Sequence, residues 1–289
     1  MDSNISKLKH KISLLQMDYE LMTLVETGIE AATAAGKLQM QYFRANCGTV
    51  CQSPRDIKLA VDIECEAVIT NIIRKRYKDH RILAEEGGEI GGVGDHLWIV
   101  DPLDGTVNYF HGVPHFCSCL ACLFFPGGRD RALPTDSEGI LEAGLLGIVH
   151  VPSCDDTYVG IRGYGSFFNG TQMNCPDHTD LSDSMVAVSL GKSNASIVSM
   201  LEVIGNLAPR VRKVRSYGCA GLDISMVTAG CLGGVIYRGI HIWDLAAAGI
   251  ILQEAGGTLK ARQMQNGTWN MVAAHNGKAK ELLQIAPLS

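Results

Sequence analysis

The chain lacks features that would each assign it to a function class. No apolar stretch approaches the roughly 20 residues that a membrane-spanning helix needs. The opening Met1-Asp2-Ser3-Asn4-Ile5-Ser6-Lys7 is polar, with no signal-peptide core behind it. A cytoplasmic location without a membrane partner is therefore expected. Long basic runs are also missing, and 25 Lys+Arg against 30 Asp+Glu give a formal charge of −5. Nucleic acid is not an expected partner, because its phosphates are bound through clustered cations. The densest basic patch, Arg210, Arg212, Lys213 and Arg215, has no interleaved aromatics and reads as a solvated strand face. No internal repeat or low-complexity tract interrupts the 289 residues, a length that suits one large domain or two of ordinary size.

Cysteine is present ten times, yet no second Cys-x-x-Cys completes a zinc site. Cys117, Cys119 and Cys122 lie in the apolar run 116–125, which reads as a buried strand. Alternate residues face opposite sides there, so Cys119 and Cys122 diverge and read as small, reduced core residues. His111 and His115 have metal-like spacing, but Gly112 and Pro114 between them oppose a shared face. Gly163-x-Gly165 with Asn169-Gly170 lies between β-like segments and reads as a hairpin, not a dinucleotide fingerprint. Cys219, in Ser216 to Gly221, could have a lowered pKa at a helix start, but no triad surrounds it and a packing or substrate-side role is favoured.

Residues 15–44 are alanine-rich with helical periodicity, and a second helical pattern runs from Asp62 to Tyr77. Strands are expected at 82–84, 97–100, 116–125, 143–151, 157–162 and 185–190. The segment 126–141, rich in turn formers and charge, reads as a mobile surface insertion. After Ser189, helical patterns at 196–207, 219–231, 243–255 and 275–284 alternate with β segments near 211–215, 234–237 and 271–274. That order implies an α+β first half, 1–184, and an α/β second half, 185–289.

The chemistry concentrates at 98–106, Trp-Ile-Val-Asp101-Pro102-Leu103-Asp104-Gly105-Thr106. Two acids three residues apart, after an apolar strand and around a proline, make a cup for hard cations. Gly105-Thr106 then opens a short helix, whose free N–H groups and hydroxyl suit a phosphate. Asp62, Glu85-Glu86 and Asp244 also stand at the edges of apolar elements. Each taken singly reads as a solvated or capping acid. Together such oxygens are what Mg²⁺ prefers, and two ions can activate a water and stabilise a leaving oxygen.

With these blocks in view, the chain resembles the inositol monophosphatase family of Mg²⁺-dependent, lithium-sensitive phosphatases over nearly its whole length. Ile82 to Gly87 is similar to the family's Glu-Glu block, Trp98 to Thr106 to its Asp-Pro-x-Asp-Gly-Thr signature, and Trp243 to Gly249 to its Trp-Asp block. Asp56 to Glu66 and Arg162 to Gly170 resemble an acid-bearing helix and a glycine-rich hairpin of that family. The resemblance implies a layered αβαβα sandwich of the inositol monophosphatase and fructose-1,6-bisphosphatase type, and a homodimer. It implies one Mg²⁺ on Glu85, Asp101 and the Leu103 carbonyl, a second on Asp101, Asp104 and Asp244, and a weaker third on Glu85 and Asp62. Gly105 and Thr106 would hold phosphate oxygens, together with Asp104. Glu85 and the Thr106 hydroxyl, paired with Asp62, would orient water for in-line attack without a phosphoenzyme. Cys219 and Ala220 align near the substrate.

Departures from the family pattern concern specificity. Tyr237 occupies the position of a sugar-contacting glutamate, beside Arg238. Lys192 stands for a frequent serine, and Cys51 for a loop lysine that Lys58 could replace. The expected activity is hydrolysis of inositol monophosphate or a related polyol or sugar phosphate. Tyr237, Arg238 and Lys192 also suit a 3′(2′),5′-bisphosphate nucleotidase or a fructose-1,6-bisphosphatase. A metal-binding regulatory protein without turnover is the non-enzymatic alternative, opposed by the full set of acids.

Overall fold

The computed structural model describes residues 3–45, 48–53, 56–128, 132–176, 180–191 and 193–289. Helices α1 (Asn4–Ser13) and α2 (Tyr19–Tyr42) open the chain; the helix that periodicity predicts over 15–44 is α2, and α1 lies before that range. The break falls at Asp18, whose extended backbone lets its carboxylate accept the Leu21 N–H at 2.8 Å and cap α2. A short antiparallel hairpin of β1 (Thr49–Ser53) and β2 (Asp56–Leu59) leads into α3 (Ala60–Arg76).

The first sheet contains β3 (Arg81–Ala84), β4 (Gly88–Ile90), β5 (His96–Asp104), β6 (Cys117–Phe124), β7 (Gly144–Val151), β8 (Asp156–Ile161), β9 (Gly165–Phe168) and β10 (Thr171–Met173). Its order is β10-β9-β8-β7-β6-β5-β3-β4, and only the β3–β5 pair is parallel. The β9–β10 turn at Asn169-Gly170 makes the expected hairpin. The second sheet contains β11 (Met185–Val188), β12 (Lys213–Arg215), β13 (Gly234–Ile240), β14 (Thr258–Gln263) and β15 (Trp269–Ala274), in the order β12-β11-β13-β15-β14. The remaining helices are α4 (Thr106–Phe110), α5 (Ser137–Ala143), α6 (Asn194–Leu207), α7 (Ala220–Thr228), α8 (Ile242–Glu254) and α9 (Ala279–Ile285).

These elements stack in five layers. Helices α2 and α3 cover one face of the first sheet, α7 and α8 fill the space between the sheets, and α6 and α9 cover the far face of the second. Period-2 alternation in β5 explains the arrangement: Trp98 and Val100 pack toward α2 and α3, whereas Leu97 and Ile99 pack toward α7 and α8. Helix α8 is apolar nearly all round, as a helix between two sheets must be. A third cluster, including Val186, Met200, Val272 and Leu282, lies under α6 and α9. The layered αβαβα sandwich is thus the fold. Cys119 and Cys122 face different clusters, as strand alternation requires.

The insertion reading of 126–141 extends too far at its C-terminal end. Its latter part enters α5, capped by the Asp136 carboxylate on the Gly139 N–H at 2.9 Å, and Ile140 is fully buried. The turn formers there are the entry to a helix; residues 129–131 lie outside the described set. Among the described residues no helix is long and apolar enough to cross a membrane.

Candidate active site

Strand β5 does not stop at Val100 but continues through Asp104. Its register against β6 shifts between Asp101, opposite Cys119, and Asp104, opposite Cys117, so one extra residue bulges out. Pro102 fits there because the bulge asks for no N–H. Asp101 Oδ1 accepts the Leu103 N–H at 3.0 Å, closing a side-chain turn around the proline. The Pro102 carbonyl accepts Gln39 Nε2 at 2.6 Å and the Ser118 hydroxyl at 3.0 Å, which ties the turn to α2 and β6. Gly105 follows at φ 88°, and a Cβ there would lie 2.9 Å from the His115 carbonyl, so glycine is required.

Around this turn the other acids converge. The Glu85 N–H bonds the Val100 carbonyl at 3.2 Å, placing the Glu85 carboxyl beside Asp101. Asp244 lies in the first turn of α8, and its Oδ2 accepts the His241 N–H at 2.6 Å. One oxygen each of Asp101, Asp104 and Asp244 lies within 4.8 Å of the others. Burial, then the charge of Asp244, raises Glu85 to about 8 and Asp104 to about 7. Asp101 is raised well above the usual carboxylate range by burial and then by Glu85. Buried acids crowded in this way resist ionisation until positive charge is supplied. The donors of this trio are hard oxygens, without imidazole or thiol, and fit a Mg²⁺-class ion.

A pocket of about 460 Å³ opens over the cluster, between elements of both sheets. Glu85, Asp101, Leu103, Asp104, Gly105, Thr106, Ala220, Tyr237, Arg238 and Asp244 all line it, together with Lys58 and Glu86. Lys58 is ion-paired to Glu86. Several expectations change. Asp62 is buried and is not among the described lining residues; its Oδ2 accepts the Leu59 N–H at 2.7 Å and secures the start of α3. The Thr106 hydroxyl donates to the Leu103 carbonyl at 2.9 Å. The Cys219 side chain is fully buried and directed at Asp104, 3.3 Å from Oδ2, instead of at the pocket. Burial raises its pKa, opposite to the shift a nucleophile would need. Cys51 is exposed on β1. Lys192 lies outside the described residues.

Three contributors have no motif to announce them. Gln39 holds the proline turn from α2. Glu66 Oε2 accepts the Glu86 N–H at 2.7 Å and sets the Glu85-Glu86 corner. Asp223, fully buried in α7, accepts the Tyr237 hydroxyl at 2.6 Å and pairs with His115 Nε2 at 2.8 Å. The only signal for each was a polar residue on an otherwise apolar helical face. His115 is thereby accounted for by a carboxylate, not by a metal shared with His111. Arg238 donates to the Pro287 carbonyl at 2.7 Å from the pocket wall.

A five-layer sandwich with an acid-lined pocket between its sheets has the architecture of a metal-dependent phosphatase, a hydrolase. Comparison with known proteins narrows the class. The sequence model described as the inositol monophosphatase family matches residues 20–127 and 139–286, and the chain belongs to that family. It is 34% identical over 203 residues to a fructose-1,6-bisphosphatase/inositol-1-monophosphatase of Thermotoga maritima, covering 70% of each chain. It is 30% identical over 246 residues to the Nus factor SuhB of Pseudomonas aeruginosa, covering 82% of this chain and 84% of that one. Among solved structures, an IMPase of Thermotoga maritima superposes with a TM-score of 0.76 at 28% identity, over 91% of this chain and 96% of the other.

Proposed function

We propose that the chain is a Mg²⁺-dependent phosphomonoesterase acting on inositol monophosphate or a related small polyol or sugar phosphate. The observation that carries this reading is the meeting of Asp101, Asp104 and Asp244 within 4.8 Å at a pocket floored by the left-handed Gly105. Glu85, Asp101 and the Leu103 carbonyl would hold one ion, and Asp101, Asp104 and Asp244 a second. Bound there, the ions would neutralise phosphate charge and favour formation of an attacking hydroxide from water. The backbone N–H groups of Gly105 and Thr106 orient phosphate oxygens, and Glu85 accepts a hydrogen bond from the incoming water. Phosphoryl transfer needs mainly such positioning and charge compensation, so no side-chain nucleophile is required. The two halves of the chain, 1–184 and 185–289, close around this one site, and the same reading includes a cytoplasmic homodimer.

The test is phosphate release from a panel of esters with Mg²⁺ present. Release from inositol 1-phosphate or a related polyol phosphate is expected; background rates for every ester would refute the reading. Tyr237 and Arg238 in the pocket wall favour a second reading, a bisphosphate substrate. Comparing kcat/KM for inositol 1-phosphate, adenosine 3′,5′-bisphosphate and fructose 1,6-bisphosphate separates the two.

A further inference from the structure

Cys117 and Cys219 are both completely buried. Thiols buried for packing alone need not share an orientation, yet these two converge on one carboxylate oxygen. The sulfur atoms are 3.5 Å apart, and Asp104 Oδ2 lies 3.3 Å from Cys219 Sγ and 3.9 Å from Cys117 Sγ. A tetrahedral zinc ion with two thiolates and a carboxylate has edges of about 3.8 Å between sulfurs and about 3.6 Å from sulfur to oxygen. Each observed edge is within about 0.3 Å of these values. The three donors start β6, precede α7 and end β5, so packed elements hold the triangle in shape. Cys119, with its sulfur 3.6 Å from that of Cys117, adds a thiol beside it.

We propose that Cys117, Cys219 and Asp104 form a site for one soft divalent cation of the zinc and cadmium class, sharing Asp104 with the hard-oxygen cluster. Two thiolates select against Mg²⁺, so the two kinds of ion do not compete for the sulfur side. On binding, each thiol releases its proton to solvent and no electrons are transferred. The added positive charge competes for the Asp104 carboxylate and lowers its hold on the second Mg²⁺. The site is therefore inhibitory. The inhibition rests on the phosphatase reading; the coordination does not.

The experiment uses the full chain with Cys47, Cys51, Cys154 and Cys231 replaced by serine, loaded with one equivalent of Zn²⁺ in saturating Mg²⁺. X-ray absorption at the zinc edge should show two sulfur neighbours at about 2.3 Å. In Cys117→Ala the sulfur count should fall to one, and Cd²⁺ affinity, followed by the thiolate charge-transfer band, should drop at least about tenfold. That variant should keep Mg²⁺-dependent turnover and lose sensitivity to Zn²⁺. A zinc shell of oxygen and nitrogen alone, an unchanged sulfur count in Cys117→Ala, or full displacement by Mg²⁺ would overturn the proposal. If the variant does not fold, the spectrum of its parent decides. If no ester is hydrolysed, the function reading fails while the sulfur shell still tests this site.

Discussion

At the scale of single residues the site depends on charge placed where water is scarce. Asp101 is buried, and in the proposed reading it serves both ions, so Asp101→Asn removes a charge shared between them. Turnover is expected to fall at least about a hundredfold with the fold intact, since positioning two cations underlies the rate. Unchanged phosphate release with an unchanged melting curve would show the metal assignment to be wrong. Gly105→Ala must place a Cβ at φ 88° and 2.9 Å from the His115 carbonyl. A backbone cost of about 1–2 kcal/mol is expected from the left-handed conformation alone. The variant should melt lower and show a reduced kcat/KM; a glycine-like melting curve would mean that the turn relaxes freely. Gly105 was legible because the motif names it. Tyr237 was legible only as a departure, and its bond to Asp223 depends on α7 and β13 meeting in space.

At the scale of elements, the catalytic turn is held by a helix more than sixty positions earlier in the chain. Gln39 in α2 reaches the Pro102 carbonyl at 2.6 Å and the Ser118 hydroxyl at 2.9 Å. Gln39→Leu keeps bulk but removes both bonds, leaving the buried Pro102 carbonyl with only Ser118. A stability loss of about 1–3 kcal/mol is expected by denaturant unfolding. A lower kcat should accompany it, because the turn that orients Asp101 loses its support. Loss of stability with kcat unchanged would make Gln39 a purely structural residue. Gln39 had no motif to announce it in the sequence, only its polarity on an otherwise apolar helical face. The strands of the first sheet from β5 to β8 were readable as continuous apolar runs, whereas the β1–β2 hairpin and β14 are too short and too mixed to show periodicity.

At the scale of the whole molecule, two histidines are held uncharged inside the fold. His150, 4% exposed and bonded through Nδ1 to the Thr157 hydroxyl at 2.9 Å, is pushed down to about 4 by burial. His80, stacked between Tyr77 and His96, is pushed down to about 4 by burial and then by the charge of His96. Between about pH 6.5 and pH 4 the unfolded chain therefore binds more protons than the folded one. Their contribution is fully present above about pH 6.5 and is lost as pH falls toward 4. His150→Gln should shrink the stability difference between pH 7 and pH 4 by about 3 kcal/mol. Denaturant curves at the two pH values check this, and parallel losses in both proteins would assign the acid sensitivity elsewhere. The family resemblance adds that Li⁺ should inhibit turnover, and a titration without effect would separate this chain from that behaviour.

Local chemistry was determined by the sequence itself. The acids, the proline turn and the obligatory glycine are adjacent in the chain, and the order of three separated blocks was enough to identify the family. Tertiary structure decided convergence and commitment. Asp244 reaches Asp101 and Asp104 because α8 is packed between two sheets, and no periodicity encodes that distance. Asp62 turned out to cap a helix, Thr106 to donate to Leu103, and Cys219 to face Asp104. A carboxylate, hydroxyl or thiol has the same identity in every environment, and only the packed fold selects which partner it meets.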